Sequence, residues 1–270
     1  AALAAPLYAI WPQTATNLVI YGTNVDAPGV DIPLPPLAPA AIVAAALAAI
    51  AMGLAAITFR QLVDGRLAVV AAYAFGLATG TWAVAADALW QHGPGMMWIT
   101  AGTLLSARHR LGAGLAFGAA ILTRPHTALV PASNGIWQSW KDRSIRPALL
   151  IGLGSAAGLG LLILFNDAVF GSPSIIGGYS DSFANRAASL DVLDYLGNVS
   201  LALVHPIRGL LVYSPVLILL FLGLPAAWRV APAWVKGSAV GGLLYLLLQL
   251  KANRYSGGAG FWAYRYPLET

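Results

Sequence analysis

An acid, an amide and an imidazole, Asp87, Gln91 and His92, stand within six residues of one another in the stretch ADALWQHGPG, inside an otherwise apolar chain. An acid near the end of an apolar run is costly, by roughly 2.5–3.5 kcal/mol at a helix centre and less near a membrane surface. Asp87 therefore calls for a partner, such as an Arg from another segment. His92 has two readings. It caps a helix end at a membrane interface, with Trp90 and Trp98 in an aromatic belt, or it belongs to a binding site.

Arg124 follows the apolar run Gly112 to Leu122 and precedes Pro125, which stops a simple helix. An Arg held at such a break suits a phosphate or a buried carboxylate, because its planar fork can bind either at two points. The alternative is a snorkelling side chain that touches lipid phosphate. The stretch from Arg254 to Glu269 is denser still. Gly257, Gly258 and Gly260 permit close backbone approach, Trp262, Tyr264 and Tyr266 offer stacking faces for a sugar or prenyl chain, and Arg254 and Arg265 offer charge to a phosphate. Its other reading is an interfacial loop with aromatic anchors. The glycines match neither a P-loop nor a dinucleotide fingerprint, so nucleotide binding has no support.

Other polar residues carry less. Tyr179 to Arg186 could order over a ligand or form a solvated connection. Asn198-Val199-Ser200 fits a glycosylation pattern that is short and common. His92, His109, His126 and His205 lack metal-ligand spacing, and no metal or cofactor is expected. Without cysteine there are neither disulfides nor thiolate sites.

The elements that must position these groups follow from composition. Hydrophobic residues make up 59% of the chain and charged ones 9%, where a soluble domain carries about a quarter charged. Mean hydropathy is +0.73. This composition indicates an integral membrane protein, and continuous Ala, Leu, Gly and Val runs favour helices over a barrel. Apolar spans are expected at 37–59, 67–89, 95–107, 111–123, 127–139, 147–166, 208–227 and 236–250. Several fall short of the roughly 20 residues a straight crossing needs, so 95–107, 111–123 and 127–139 are expected to be tilted, broken or partly embedded. The expected class is all-α, a polytopic transmembrane helical bundle with outer-face loops, as one domain over 1–270 that is truncated at both ends.

Sidedness comes from charge. Nine of the fifteen Lys and Arg residues lie in four short connections, Arg60 to Arg66, Arg108 to Arg110, Trp140 to Arg146 and Arg229 to Lys236, which this excess makes cytoplasmic. Eight of the ten acids fall on or near the other side, and only Asp64 and Asp142 face the cytoplasm. The net charge of +5 thus speaks to topology, not to nucleic acid. The polar clusters at His92, Arg124, Asn166-Asp167, His205 to Arg208 and Lys251 to Glu269 then share the outer face, where they could form a site open to the outer leaflet.

In order along the chain, LWQHGP, LTRPHTAL, FNDAVFGSP, RGLLVYSPVL and SGGAGFWAYRYPLE resemble bacterial membrane glycosyltransferases of the C-type superfamily, with a composition similar to actinobacterial members. The resemblance runs from about Ala85 to Glu269 and lies in the order of the motifs. It implies an enzyme of the bacterial plasma membrane, serving the cell envelope. The enzyme would take a sugar from a polyprenyl-phosphate donor and transfer it, at the outer face and with inversion, to a glycan, lipid or protein. An acidic residue on the first outer loop would act as base, and a cation would stabilise the departing phosphate. Residues 1–11 look like the segment after that loop, which places the base upstream of Ala1; Asp26 and Asp31 are the substitutes in this chain. Under the resemblance Arg124 and Arg265 bind the donor phosphate, with Arg254 in reserve. His92 hydrogen-bonds the donor or orients a carboxylate, and Trp262 and Tyr264 line the prenyl or sugar groove. The rival reading is a transporter or lipid flippase, which would show matched halves and midplane ionisable residues. No such repeat is visible, and a purely structural subunit would have no reason to gather Arg, His and aromatic residues on one face.

Overall fold

A computed structural model describes residues 5–10, 16–20, 30–34, 37–81, 85–86, 91–175, 185, 187–189, 191–207 and 209–253. The elements among the described residues are helical apart from one small hairpin. A short helix α1 (Ala5–Ile10) precedes strands β1 (Thr16–Ile20) and β2 (Val30–Leu34), which pair antiparallel with Leu18 opposite Ile32. The helices that follow are α2 (Leu37–Phe59), α3 (Gly65–Leu77), α4 (His92–Leu105), α5 (Arg110–Thr123), α6 (Leu129–Asp142), α7 (Arg146–Phe170), α8 (Val192–Val204), α9 (Leu210–Tyr213), α10 (Val216–Val230) and α11 (Ala233–Ala252). Among the described residues three helices are long and apolar enough to cross a membrane: Ala38–Phe59, Arg146–Phe170 and Ala233–Ala252.

The burial pattern inverts that of a soluble core. On α2 the inward residues are Ala44, Ala48, Ala51 and Ala55, while Ile42, Ile50 and Ile57 are exposed. On α7, Leu149, Leu153, Leu161 and Leu164 face outward. Helices that pack in lipid gain nothing by hiding Leu from an equally apolar solvent. They gain by close backbone approach through small residues.

That approach is clearest where α5 meets α7. Gly114 and Gly118 on α5 face Gly154 and Gly158 on α7, each pair spaced by four. A Cβ on Gly154 would lie 2.6 Å from the Gly114 carbonyl carbon, and one on Gly158 would collide with the Gly118 carbonyl. Ser155 Oγ donates to Gly114 O at 3.3 Å across the same seam. Beside it, Ala113, Phe117, Val130 and Ile151 form a buried cluster that joins α5, α6 and α7. The α6–α11 seam uses the same device: a Cβ on Gly237 would sit 2.7 Å from Asn134 Cα, and one on Gly241 would sit 2.5 Å from Val130 Cα.

A buried polar chain ties the bundle laterally. Asn134 Nδ2 donates to Trp234 O at 2.9 Å and to Ser238 Oγ at 2.7 Å, and Thr103 Oγ1 donates to Ser238 Oγ at 3.2 Å. Gln138 Nε2 donates to Asn134 Oδ1 at 2.6 Å, and Arg110, which pairs with Asp142 at 2.5 Å, donates through Nε to Gln138 Oε1 at 3.4 Å. One connected path thus links α4, α11, α6 and α5. Polar groups that meet partners in an apolar setting fix which helix faces which.

Three expectations need correction. The span at 67–89 is not one helix. α3 stops at Leu77, and beyond it Thr79 Oγ1 donates to Phe75 O at 2.6 Å and meets Thr81 Oγ1 at 2.8 Å, so hydroxyls satisfy groups that a continuing helix would have used. The span at 208–227 is split between α9 and α10 at Ser214-Pro215, where proline cannot donate its backbone nitrogen. The connection at 167–207 is not a loop throughout, because α8 starts within it where Asp191 Oδ1 accepts from Asp194 N at 2.9 Å. The β1–β2 hairpin is an addition to the all-α reading.

Candidate functional site

Two of the six residues expected to bind substrate meet. His92 opens α4, and Arg124 follows the last turn of α5. At Arg124 the backbone turns to φ −150°, ψ 107°, and Pro125 starts a 3-10 turn, Pro125–Ala128. This break lifts the guanidinium out of helical register. Thr127 fastens it, donating to the Arg124 carbonyl twice, through Oγ1 at 2.8 Å and through N at 3.0 Å.

The result is a buried cation. Arg124 is 6% exposed and His92 4%, and Arg124 Nη1 lies 3.0 Å from His92 Nδ1. A guanidinium only donates, so His92 Nδ1 accepts, which places the ring proton on Nε2. On another side the guanidinium carbon sits 5.8 Å from the ring centroid of Tyr245, a fully buried residue of α11. Cation–π contact of this kind stabilises a desolvated Arg by about 2 kcal/mol.

No protein-family model, curated protein or solved structure matches this chain.

One helical turn beyond Tyr245, Gln249 is fully buried; its Oε1 accepts from Asn253 Nδ2 at 2.7 Å, and its Nε2 has no hydrogen-bond partner among the described residues. The end of α11 is in turn tied to α8. Asn198 Nδ2 donates to the carbonyls of Leu250 and Asn253, and Lys251 Nζ reaches Ser189 Oγ at 2.8 Å and lies 5.5 Å from the Tyr195 ring centroid. Asn198 is thus a tie between helices, with the nitrogen of its sequon committed to backbone.

The remaining candidates divide in two. Arg254, Trp262, Tyr264 and Arg265 lie outside the described residues, as do Asp87, Trp90 and Asp26. Of the others, Asn166 is buried and closes the end of α7 by donating to Ser174 O at 2.6 Å, and His205 caps α8, its Nδ1 accepting from Ile207 N at 3.2 Å. His109 stands at the opposite end of α5 from Arg124. Asp31 lies on β2 opposite Val19. Among the described residues no three His, Asp or Glu side chains converge as a metal site would need.

Sequence reasoning missed Tyr245 and Gln249. Their signal was available: they are spaced by four, and so share one face, in the apolar run LLYLLLQL. Arg124 and His92, with the Tyr245 ring against the guanidinium, put a fixed positive charge and an imidazole N–H on neighbouring helices. That set suits an oxyanion such as a phosphate.

Proposed function

We propose that the chain is a membrane glycosyltransferase that takes a sugar from a polyprenyl-phosphate donor, with Arg124 as the anchor for the donor phosphate and His92 as the residue that positions it. The observation that carries this reading is the 3.0 Å contact between Arg124 and His92, two buried residues from segments 32 positions apart. Each belongs to a motif on which the family resemblance rests.

Burial supports the same reading: a cation held inside an apolar helical bundle by its own contacts is a default functional candidate. In the proposed reaction the acceptor hydroxyl oxygen attacks the anomeric carbon, the bond from that carbon to the phosphate oxygen breaks, and its electron pair leaves with the phosphate. The acceptor proton passes to a carboxylate base. Arg124 lowers the barrier by stabilising the charge the phosphate gains. Arg265, with Arg254 in reserve, would complete the phosphate clamp, and Trp262 and Tyr264 would line the groove for sugar or prenyl chain. The reaction would run at the outer face of a bacterial plasma membrane, toward a glycan, lipid or protein acceptor.

Binding of a short-chain polyprenyl phosphate to the full protein in nanodiscs tests the anchor. Loss of a hydrogen bond to a charged group costs about 1.5–3 kcal/mol, so Arg124→Ala should weaken binding roughly 10- to 150-fold. The parent polyprenol should bind both forms alike. Equal affinity of wild type and Arg124→Ala for the phosphate would remove the assignment.

A further inference from the structure

A second polar site lies at the far end of α6 and α11, about nine residues, or roughly 13 Å, down α11 from Tyr245. There a cavity of about 630 Å³ opens between the end of α6, the end of α10 and the start of α11. Its wall is aromatic. Trp137 meets Trp140 edge to face at 5.5 Å and Trp228 at 5.7 Å. Around this wall stand four cations, Lys141, Arg143, Arg229 and Lys236, and no carboxylate lines the cavity.

The neighbouring features leave this positive potential uncancelled. Asp142 neighbours two of the four in sequence, but its carboxylate is taken by Arg110 at 2.5 Å, and among the described residues the four cations form no ion pair. Lys236 Nζ lies 5.9 Å from the Trp228 ring centroid, which holds its charge at the cavity edge. Arg143 reaches the cavity from a left-handed backbone, φ 50°, ψ 39°, at the cap of α6. The start of α11 borders the same space through Ala231, Pro232 and Ala233, and Pro232 gives that helix no side-chain cap. Val235 N and Lys236 N donate to Pro232 O at 3.1 Å, and the dipole of α11 favours an anion beyond that end.

The surroundings name the kind of anion. Trp140 is 73% exposed, as an interfacial anchor is, and α10 leads away from the cavity with Leu219 and Leu222 exposed. An apolar track beside a cationic, tryptophan-walled pocket accommodates a molecule with a charged head and acyl chains. We propose that this cavity binds the phosphate headgroup of an anionic phospholipid from the membrane leaflet at that end, with its acyl chains along α10. The site is separate from Arg124 and does not depend on the transferase reading.

Native mass spectrometry of the full chain released from mixed micelles tests this. Phosphatidylglycerol is titrated against phosphatidylcholine; inorganic phosphate and glycerol phosphate form a second arm. Wild type should retain phosphatidylglycerol preferentially. Arg229→Gln and Lys236→Gln should each weaken that retention about fivefold, and more at low salt than at high. Arg60→Gln, an exposed cation outside the cavity, should leave it unchanged. The exposed Lys141→Gln serves as a third variant should either of the others unfold, as judged by circular dichroism. No preference between the two lipids, or equal loss with Arg60→Gln, would overturn the proposal. Binding of phosphate or glycerol phosphate with no added affinity for the intact lipid would make this a free-anion site and overturn the lipid assignment.

Discussion

Substituting Gly154 by Ala should pry α5 from α7. Its new Cβ would lie 2.6 Å from both the Gly114 carbonyl carbon and Leu115 N, whereas ordinary contact begins at 3.4 Å, so the helices must part by about 0.8 Å, the difference of those distances. Both obstructing atoms are backbone, which no rotamer change can move. Overpacking of this kind costs about 1–3 kcal/mol. The parting also stretches the Ser155 to Gly114 hydrogen bond from its present 3.3 Å, worth about 0.6 kcal/mol between membrane helices. The expected destabilisation is about 2–3 kcal/mol. Gly152 and Gly160 on the same helix provide the matched control, because a Cβ on either meets nothing within 4 Å. Alanine there should be neutral or should stabilise by up to about 1 kcal/mol through helix propensity. Equilibrium unfolding in mixed micelles of dodecyl maltoside and dodecyl sulfate, followed by circular dichroism, measures all three. If Gly154→Ala unfolds at the same denaturant fraction as Gly152→Ala, the reasoning from close approach is wrong.

Other expectations rest on the polar contacts. Asn134→Leu removes the hub between Gln138 and Ser238 and leaves buried donors and acceptors unmet; a loss of about 1–3 kcal/mol is expected in the same unfolding assay. Asp142→Asn should cost less than about 1 kcal/mol, because Arg110 and Asp142 are 33% and 38% exposed and surface pairs are screened. Asp191→Ala removes the N-cap of α8 and should lower stability by about 1 kcal/mol, with faster hydrogen exchange confined to the first turn of α8.

How much of this could be read from the sequence depends on what an apolar run conceals. Leu37–Phe59, Arg110–Thr123 and Arg146–Phe170 were legible to within a few residues, because each is continuously apolar between charged or proline-bearing connections. The break after Leu77 was not, since a Thr hydroxyl bonded to nearby backbone barely registers in hydropathy, and at Ser214 the signal of Pro215 was outweighed by the apolar residues around it. The start of α8 was legible in Asp191 and Asp194, yet a helix inside a polar connection runs against the expectation of a loop. At the site, His92 and Arg124 were marked by charge at helix ends, and their pairing follows from how α4 and α5 pack, which composition does not encode. Tyr245, Asn134 and Gln138 sit inside apolar helices and gain their roles only from the partner helix. The glycines at 114, 118, 154 and 158 carried a spacing-of-four signal that the span reading passed over.

As proposed above, this chain would transfer a sugar from a polyprenyl-phosphate donor and use Arg124 to stabilise the leaving phosphate. The most direct test places the full protein in liposomes with a panel of polyprenyl-phosphate sugars and candidate acceptors, and follows free polyprenyl phosphate by mass spectrometry beside the Arg124→Ala variant. The account predicts release from one sugar donor, stoichiometric with glycosylated acceptor and lowered at least tenfold in Arg124→Ala, about 1.4 kcal/mol of transition-state stabilisation. No release from any donor by folded protein, or movement of intact donor across the bilayer without cleavage, would contradict it and point to a transporter or flippase.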